Sequence, residues 1–157
     1  MKYRIISFGA LFLLMLTTGV FWGTWFTLTR SLASFSSEEF IHIGQTIIAN
    51  VADLMKIIMP SGIILMAISL WLAENKKTNS FYLGLVSFVL IIAVLLITLI
   101  VLVPIDNDIN GWTVSTIPPN WKEIRQKWDL FHSIRTFASM ASFACFSFFI
   151  LTAKKYL

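Results

Sequence analysis

Trp121, Arg125, Trp128, His132 and Arg135 follow one another at intervals of 4, 3, 4 and 3 residues. At about 100° per residue of helix, those intervals gather the five side chains into roughly 80° of arc. An imidazole exchanges a proton near neutrality, guanidiniums hold anions, and indoles offer flat apolar faces. Aligned on one face, these groups are the best clue to function in the chain, although they do not identify a substrate. The stripe runs directly into uncharged sequence, which places it at the mouth of a membrane span. Ionisable groups at such depth face a protein interior or a wet cavity rather than lipid.

The elements that must position this stripe follow from composition. The chain has 157 residues, 57% hydrophobic and 13% charged, about half the charged share of a soluble domain. Residues 5–28 and 78–105 carry no charge at all. Residues 57–73 and 136–153 are shorter candidates, near the lower limit of about 17–20 residues for crossing the hydrocarbon core. The expected fold is all-α, a four-transmembrane-helix bundle forming one domain over 1–157. Its spans cover about 5–30, 37–74 (57–73 in the membrane), 79–103 and 120–155. Lys2 and Arg4 ahead of the first run, and Ser31-Leu32-Ala33 after it, imitate a signal peptide. The run is longer than the roughly 7–15 residues of a cleaved segment, so it reads as a retained span.

The net charge of +4 does not point to nucleic acid. Lys2, Arg4, Lys76, Lys77, Lys154 and Lys155 occupy the termini and the second connection, opposed there by Glu74 alone. Around the other two connections, Arg30, Lys56, Lys122, Arg125, Lys127 and Arg135 are matched by Glu38, Glu39, Asp53, Asp106, Asp108, Glu123 and Asp129. By the positive-inside rule both termini are cytoplasmic in a cell membrane. Cys145, the single cysteine, lies in the fourth span, so no intrachain disulfide or CxxC redox pair exists. It reads as a packing residue.

The second span begins early, since Ser36 and Glu39 have capping-box spacing. From there His42, Gln45, Thr46, Asp53 and Lys56 form a polar stripe with Asn50 at its margin, opposite Phe40, Ile47 and Ile48. Pro60 predicts a kink. Gly19 and Gly23 form a small-xxx-small pair that would permit close helix approach in the first span. The third span is uniformly Leu, Ile and Val, assigned no chemistry, and is expected to end at Pro104. Residues 104–119, with Asp106, Asn107, Asp108, Asn110 and Gly111, read as a long loop. Asn120 and Glu123 fit a second capping box at the start of the last helix.

Helices two and four thus extend beyond the membrane on the extracytoplasmic side, each with a polar stripe. Economy predicts that the stripes face each other across a pocket, His42, Thr46, Asn50 and Asp53 toward Arg125, Trp128, His132 and Arg135. Asn107 and Trp112 would close its top. The plainer reading makes Trp112, Trp121 and Trp128 an interfacial aromatic belt, with Arg135 snorkelling and Asp53 ion-paired to Arg125 or Arg135. An annular belt would scatter around the helix, and alignment on one face favours the pocket. A metal site is not expected, because the two histidines lack ligand spacing.

Three segments carry a resemblance to a known family. They are Thr18-Gly19-Val20-Phe21-Trp22-Gly23-Thr24-Trp25-Phe26 with Thr29-Arg30-Ser31, then Val103-Pro104-Ile105-Asp106-Asn107, then Trp121 through Trp128-x-x-x-His132-x-x-Arg135. The chain resembles the small four-helix membrane proteins that include fungal anthrone oxygenases and many bacterial members. The resemblance covers most of the chain in order and spacing. It implies oxidation of a phenolic, polycyclic, lipophilic substrate by dioxygen with no conventional cofactor. On that reading His132 takes the proton, and Arg125 and Arg135 stabilise the oxyanion. Trp121 and Trp128 hold the ring, Asn107 and Asn50 orient its oxygens, and Asp53, His42 and Trp112 complete the binding surface. Two alternatives stay open: a non-catalytic module for a lipid, quinone or haem, and an accessory subunit whose stripe docks on a partner or a second copy.

Overall fold

The computed structural model describes residues 2–152. Lys154 and Lys155, and the end of the fourth span at 155, lie outside the described residues. Four helical stretches, Lys2–Ser34, Ser37–Trp71, Asn79–Gly111 and Trp121–Thr152, are long and apolar enough to cross a membrane. Within them the helices are α1 (Lys2–Thr27), α2 (Ser37–Trp71), α3 (Asn79–Ile97), α4 (Val103–Gly111) and α5 (Trp121–Thr152). A 3₁₀ turn, Thr29–Ser34, follows α1, and a π-helical turn, Thr98–Leu102, joins α3 to α4. The protein is an all-helical, four-helix membrane protein.

Local chemistry sets several boundaries. Ser36 Oγ accepts the Glu39 N–H at 3.3 Å while the Glu39 carboxylate accepts the Ser36 N–H at 2.8 Å, the capping box expected for α2. Pro60 lies inside α2, which continues past it to Trp71. Thr78 caps α3 by accepting the Phe81 N–H at 3.2 Å.

The third span departs from expectation. Pro104 does not end it, and residues 104–111 are not a loop. Pro104 stands at the start of α4, directly after the π-helical turn in which the Val103 N–H donates to the Thr98 carbonyl five residues back, and the helix runs on across the proline. Ile105 and Ile109, one helical turn apart, are both buried and outweigh the turn preference of Asp106, Asn107, Asp108 and Asn110. The Gln45 amide of α2 then closes the free end, donating to the carbonyls of Ile109 at 3.0 Å and Trp112 at 2.9 Å.

α1 packs against α2 and α5, and α3 packs against α5 and α2. One apolar cluster, around Leu14, Met66, Ile91, Val94 and Phe146, fills the middle of the bundle. A second, around Leu32, Phe40, Leu102, Ile105, Ile109 and Trp128, fills the end that carries α4. Serines bridge the helices where backbones approach. Ser7 and Ser69 are 2.7 Å apart, and Ser87 and Ser142 each donate to the other's carbonyl at 2.7 and 2.8 Å.

Gly19 and Gly23 are not points of close approach: a Cβ at either would meet nothing within 4 Å. Gly84 is, since a Cβ there would lie 2.7 Å from Leu70 and 3.0 Å from the Phe149 ring. Leu70 and Phe149 are both buried in the same core cluster, which hems them in. Gly84→Ala will therefore lower stability by about 1–3 kcal/mol through overpacking. A fall in the unfolding temperature in detergent checks this, with Gly19→Ala as the unaffected comparison.

Candidate functional site

The stripe on α5 turns inward. Arg125, Trp128, His132 and Arg135 are buried and Trp121 is half-buried. The spacing aims them at α4 and the π-helical turn. Trp128 donates its Nε1–H to the Asp106 carboxylate at 2.9 Å. Its ring stacks on His132 with centroids 4.7 Å apart and planes 9° from parallel. Arg135 donates to His132 Nδ1 from Nε at 3.1 Å and from a terminal nitrogen at 2.9 Å. The other terminal nitrogen donates to Thr98 Oγ1 at 3.4 Å. The Phe21 ring lies 4.4 Å from the guanidinium carbon and packs edge-on to His132.

This geometry fixes proton positions. A guanidinium N–H needs a lone pair, so Nδ1 of His132 is an acceptor and the imidazole proton sits on Nε2. Nε2 is buried and makes no well-aligned hydrogen bond, with the Phe21 backbone beside it. Among the described residues no carboxylate lies within ion-pair distance of Arg135. Asp106 is close enough for the two charges to act on each other.

The depth of the cluster can be read from its neighbours. Trp25 of α1 donates to Ser133, next to His132, at 2.9 Å. Trp22, Trp25 and Phe26 stack along the outside of α1 with centroids 5.2 and 5.8 Å apart, and Arg30 caps the group over Phe26. Amphipathic aromatics of this kind settle at the headgroup level. The Trp128–His132–Arg135 cluster lies level with this aromatic group.

A small, open-sided apolar cleft with a cavity volume of about 30 Å³ adjoins the cluster. Its walls are Leu28, Leu32 and Phe35 of the 3₁₀ turn and its flanks, the Phe40–Ile48 face of α2, and Ile109 of α4. Asp106 and Trp128 complete the lining. Arg125 holds one wall, donating to the Phe35 carbonyl at 3.4 Å beneath Trp121, whose ring lies 5.0 Å from its guanidinium. Trp121 also packs on Phe40.

Several expected lining residues are elsewhere. His42, Thr46, Asn50 and Asp53 are exposed on the outer side of α2, and Asp53 pairs with Lys56 at 2.8 Å rather than with an arginine of α5. The apolar face of α2 is the one that packs inward, because its burial is favourable while water satisfies the polar stripe at no cost. Asn107 points outward from α4, and Trp112 is half-buried against the second apolar cluster. His132 lies behind the Trp128 ring and is absent from the cleft wall, and its Nδ1 is already engaged, so it is not placed to take a substrate proton there.

Three contributors were not anticipated. Asp106 lies among turn-forming residues, although Ile105 and Ile109 carry the signal of a helix that turns their neighbour inward. Thr98 sits in a span assigned no chemistry. The 3₁₀ turn, most of which lies past the expected end of the first span at residue 30, supplies a wall of the cleft, and no local pattern announces it.

Fold and site together define a four-helix membrane protein with a buried Trp–His–Arg cluster and a carboxylate facing an apolar cleft. The chain belongs to the anthrone oxygenase family, whose model matches residues 49–145. The matched stretch holds Thr98, Asp106, Trp128, His132 and Arg135. No curated protein and no solved structure matches the chain.

Proposed function

We propose that the protein is a membrane oxygenase for a lipophilic phenolic ring, of anthrone or quinol type, bound in the cleft beside Trp128. Family membership supports the reaction class. The observation that carries the reading is the cleft itself: apolar walls, one indole and one carboxylate, with a buried cation behind them. Apolar walls open at one side favour the edge of an aromatic ring, the walls parting to admit the rest, and a proton acceptor beside them activates it. The ring anion left by deprotonation gives one electron to dioxygen. Recombination of the ring radical with superoxide forms a C–O bond, the proton acceptor returns its proton to give a hydroperoxide, and loss of water from that leaves a carbonyl. Dioxygen is the oxidant, and the scheme requires no resident cofactor.

The basic residues at positions 2, 4, 76 and 77 support cytoplasmic termini and an extracytoplasmic cleft. The substrate would then enter from the outer leaflet, with membrane lipid as its solvent. The withdrawal of His132 from the cleft wall favours a second reading, a binding module for a lipid or quinone that performs no chemistry. Purified protein in lipid nanodiscs separates the two. With an anthrone or a hydroquinone, dioxygen uptake should exceed the protein-free rate and yield a carbonyl product. Binding without uptake for every ring tested would end the oxygenase reading.

A further inference from the structure

Among the described residues, Asp106 is the one ionisable group in the wall of the cleft. Its Oδ1 accepts the Trp128 Nε1–H at 2.9 Å. An ionised carboxylate keeps further lone pairs on both oxygens, so it can accept a second hydrogen bond from an occupant of the cleft. His132 cannot compete, because two guanidinium N–H groups share its Nδ1 and the Trp128 ring screens it. Charge balance favours the same group. With His132 neutral, the buried cluster of Arg135, His132 and Asp106 is neutral only when Asp106 is ionised, and a buried unbalanced cation is costly.

We infer that Asp106 is the proton acceptor of this site, and that the cleft therefore selects uncharged aromatic O–H or C–H acids over rings carrying a carboxylate, sulfonate or phosphate. The inference rests on the cleft being the substrate site of the oxygenase reading, but the step needs no oxidant. The substrate X–H bond breaks heterolytically, its electron pair stays on the ring, and the proton passes to a carboxylate oxygen of Asp106. The negative charge moves from Asp106 to the ring, and Arg135 remains as the countercharge. A ring that already carries an anion would meet an ionised carboxylate in apolar surroundings, where like charges repel most strongly.

The test uses the full chain in nanodiscs under anaerobic conditions, with a dihydroxyanthrone whose anion is coloured. Wild type should give the absorption of the bound anion and, by infrared difference spectroscopy, a new protonated carboxylic acid band. Asp106→Glu should keep both signals with the band displaced. Asp106→Asn, which retains an oxygen acceptor for Trp128, should bind the same compound without forming the anion. A sulfonated form of the ring should not bind wild type. In air, Asp106→Asn should lower kcat by roughly 100-fold or more with affinity little changed. An Asp106→Asn protein that forms the anion as well as wild type overturns the inference. So does a wild-type protein that binds the compound with neither anion nor acid band, a result that needs no variant to fold. Anion formation without dioxygen uptake would uphold Asp106 while removing the oxygenase reading.

Discussion

Arg135→Gln will reduce turnover on the order of 100-fold, the size of effect seen when a preorganised charge or donor is removed from a reacting centre. Arg135 touches no surface of the cleft, so it acts through others. It fixes the His132 ring with two N–H bonds, and that ring supports the Trp128 indole that holds Asp106. Its charge also acts on Asp106. Glutamine keeps one amide donor and loses both the fork and the charge. Arg135→Lys keeps the charge but cannot reach His132 and Thr98 from a planar group, so it should recover part of the activity. The readout beyond activity is Trp fluorescence, because release of the indole from its stack changes its environment. Wild-type kcat with an unchanged emission spectrum in Arg135→Gln would show that the cluster is only packing.

Ile43→Trp will remove substrate binding while leaving the bundle folded. Ile43 is a half-buried lining residue on the inward face of α2, and an indole placed there occupies space needed by a ligand ring. Apparent KM should rise at least about tenfold, since one lost ring contact surface is worth roughly 1–3 kcal/mol. Asn50→Ala and Asp53→Asn supply the contrast. Both residues lie on the exposed side of α2, and neither change should move kcat or KM. Loss of activity in those two variants with retention in Ile43→Trp would place the substrate on the opposite face of the helix.

That contrast also marks where sequence reading stops. Both faces of α2 were visible in the spacing of Phe40, Ile47 and Ile48 against His42, Asn50 and Asp53. Nothing local states which face meets α5. A pairing of polar stripes would have required each buried group to find a partner, whereas the structure leaves that stripe to solvent and buries aliphatic surface. The α5 stripe was legible because five residues of unusual type shared one narrow arc, and such a stripe beside a span has few places to face.

The sequence by itself determined the membrane class, the number of spanning helices, the capping of α2 and the inward set of Arg125, Trp128, His132 and Arg135. Those features depend on run length and on intervals along one helix, which are local quantities. Tertiary structure alone decided that residues 103–111 are helical, that Asp106 meets Trp128, and that a 3₁₀ turn walls the cleft. Each needs a contact between distant segments. Gln45 closes the end of α4, and Ile109 packs within 3.2 Å of where a Cβ on Gly44 would stand. Without those long-range contacts, the turn-forming residues around Asp106 would leave its carboxylate in water.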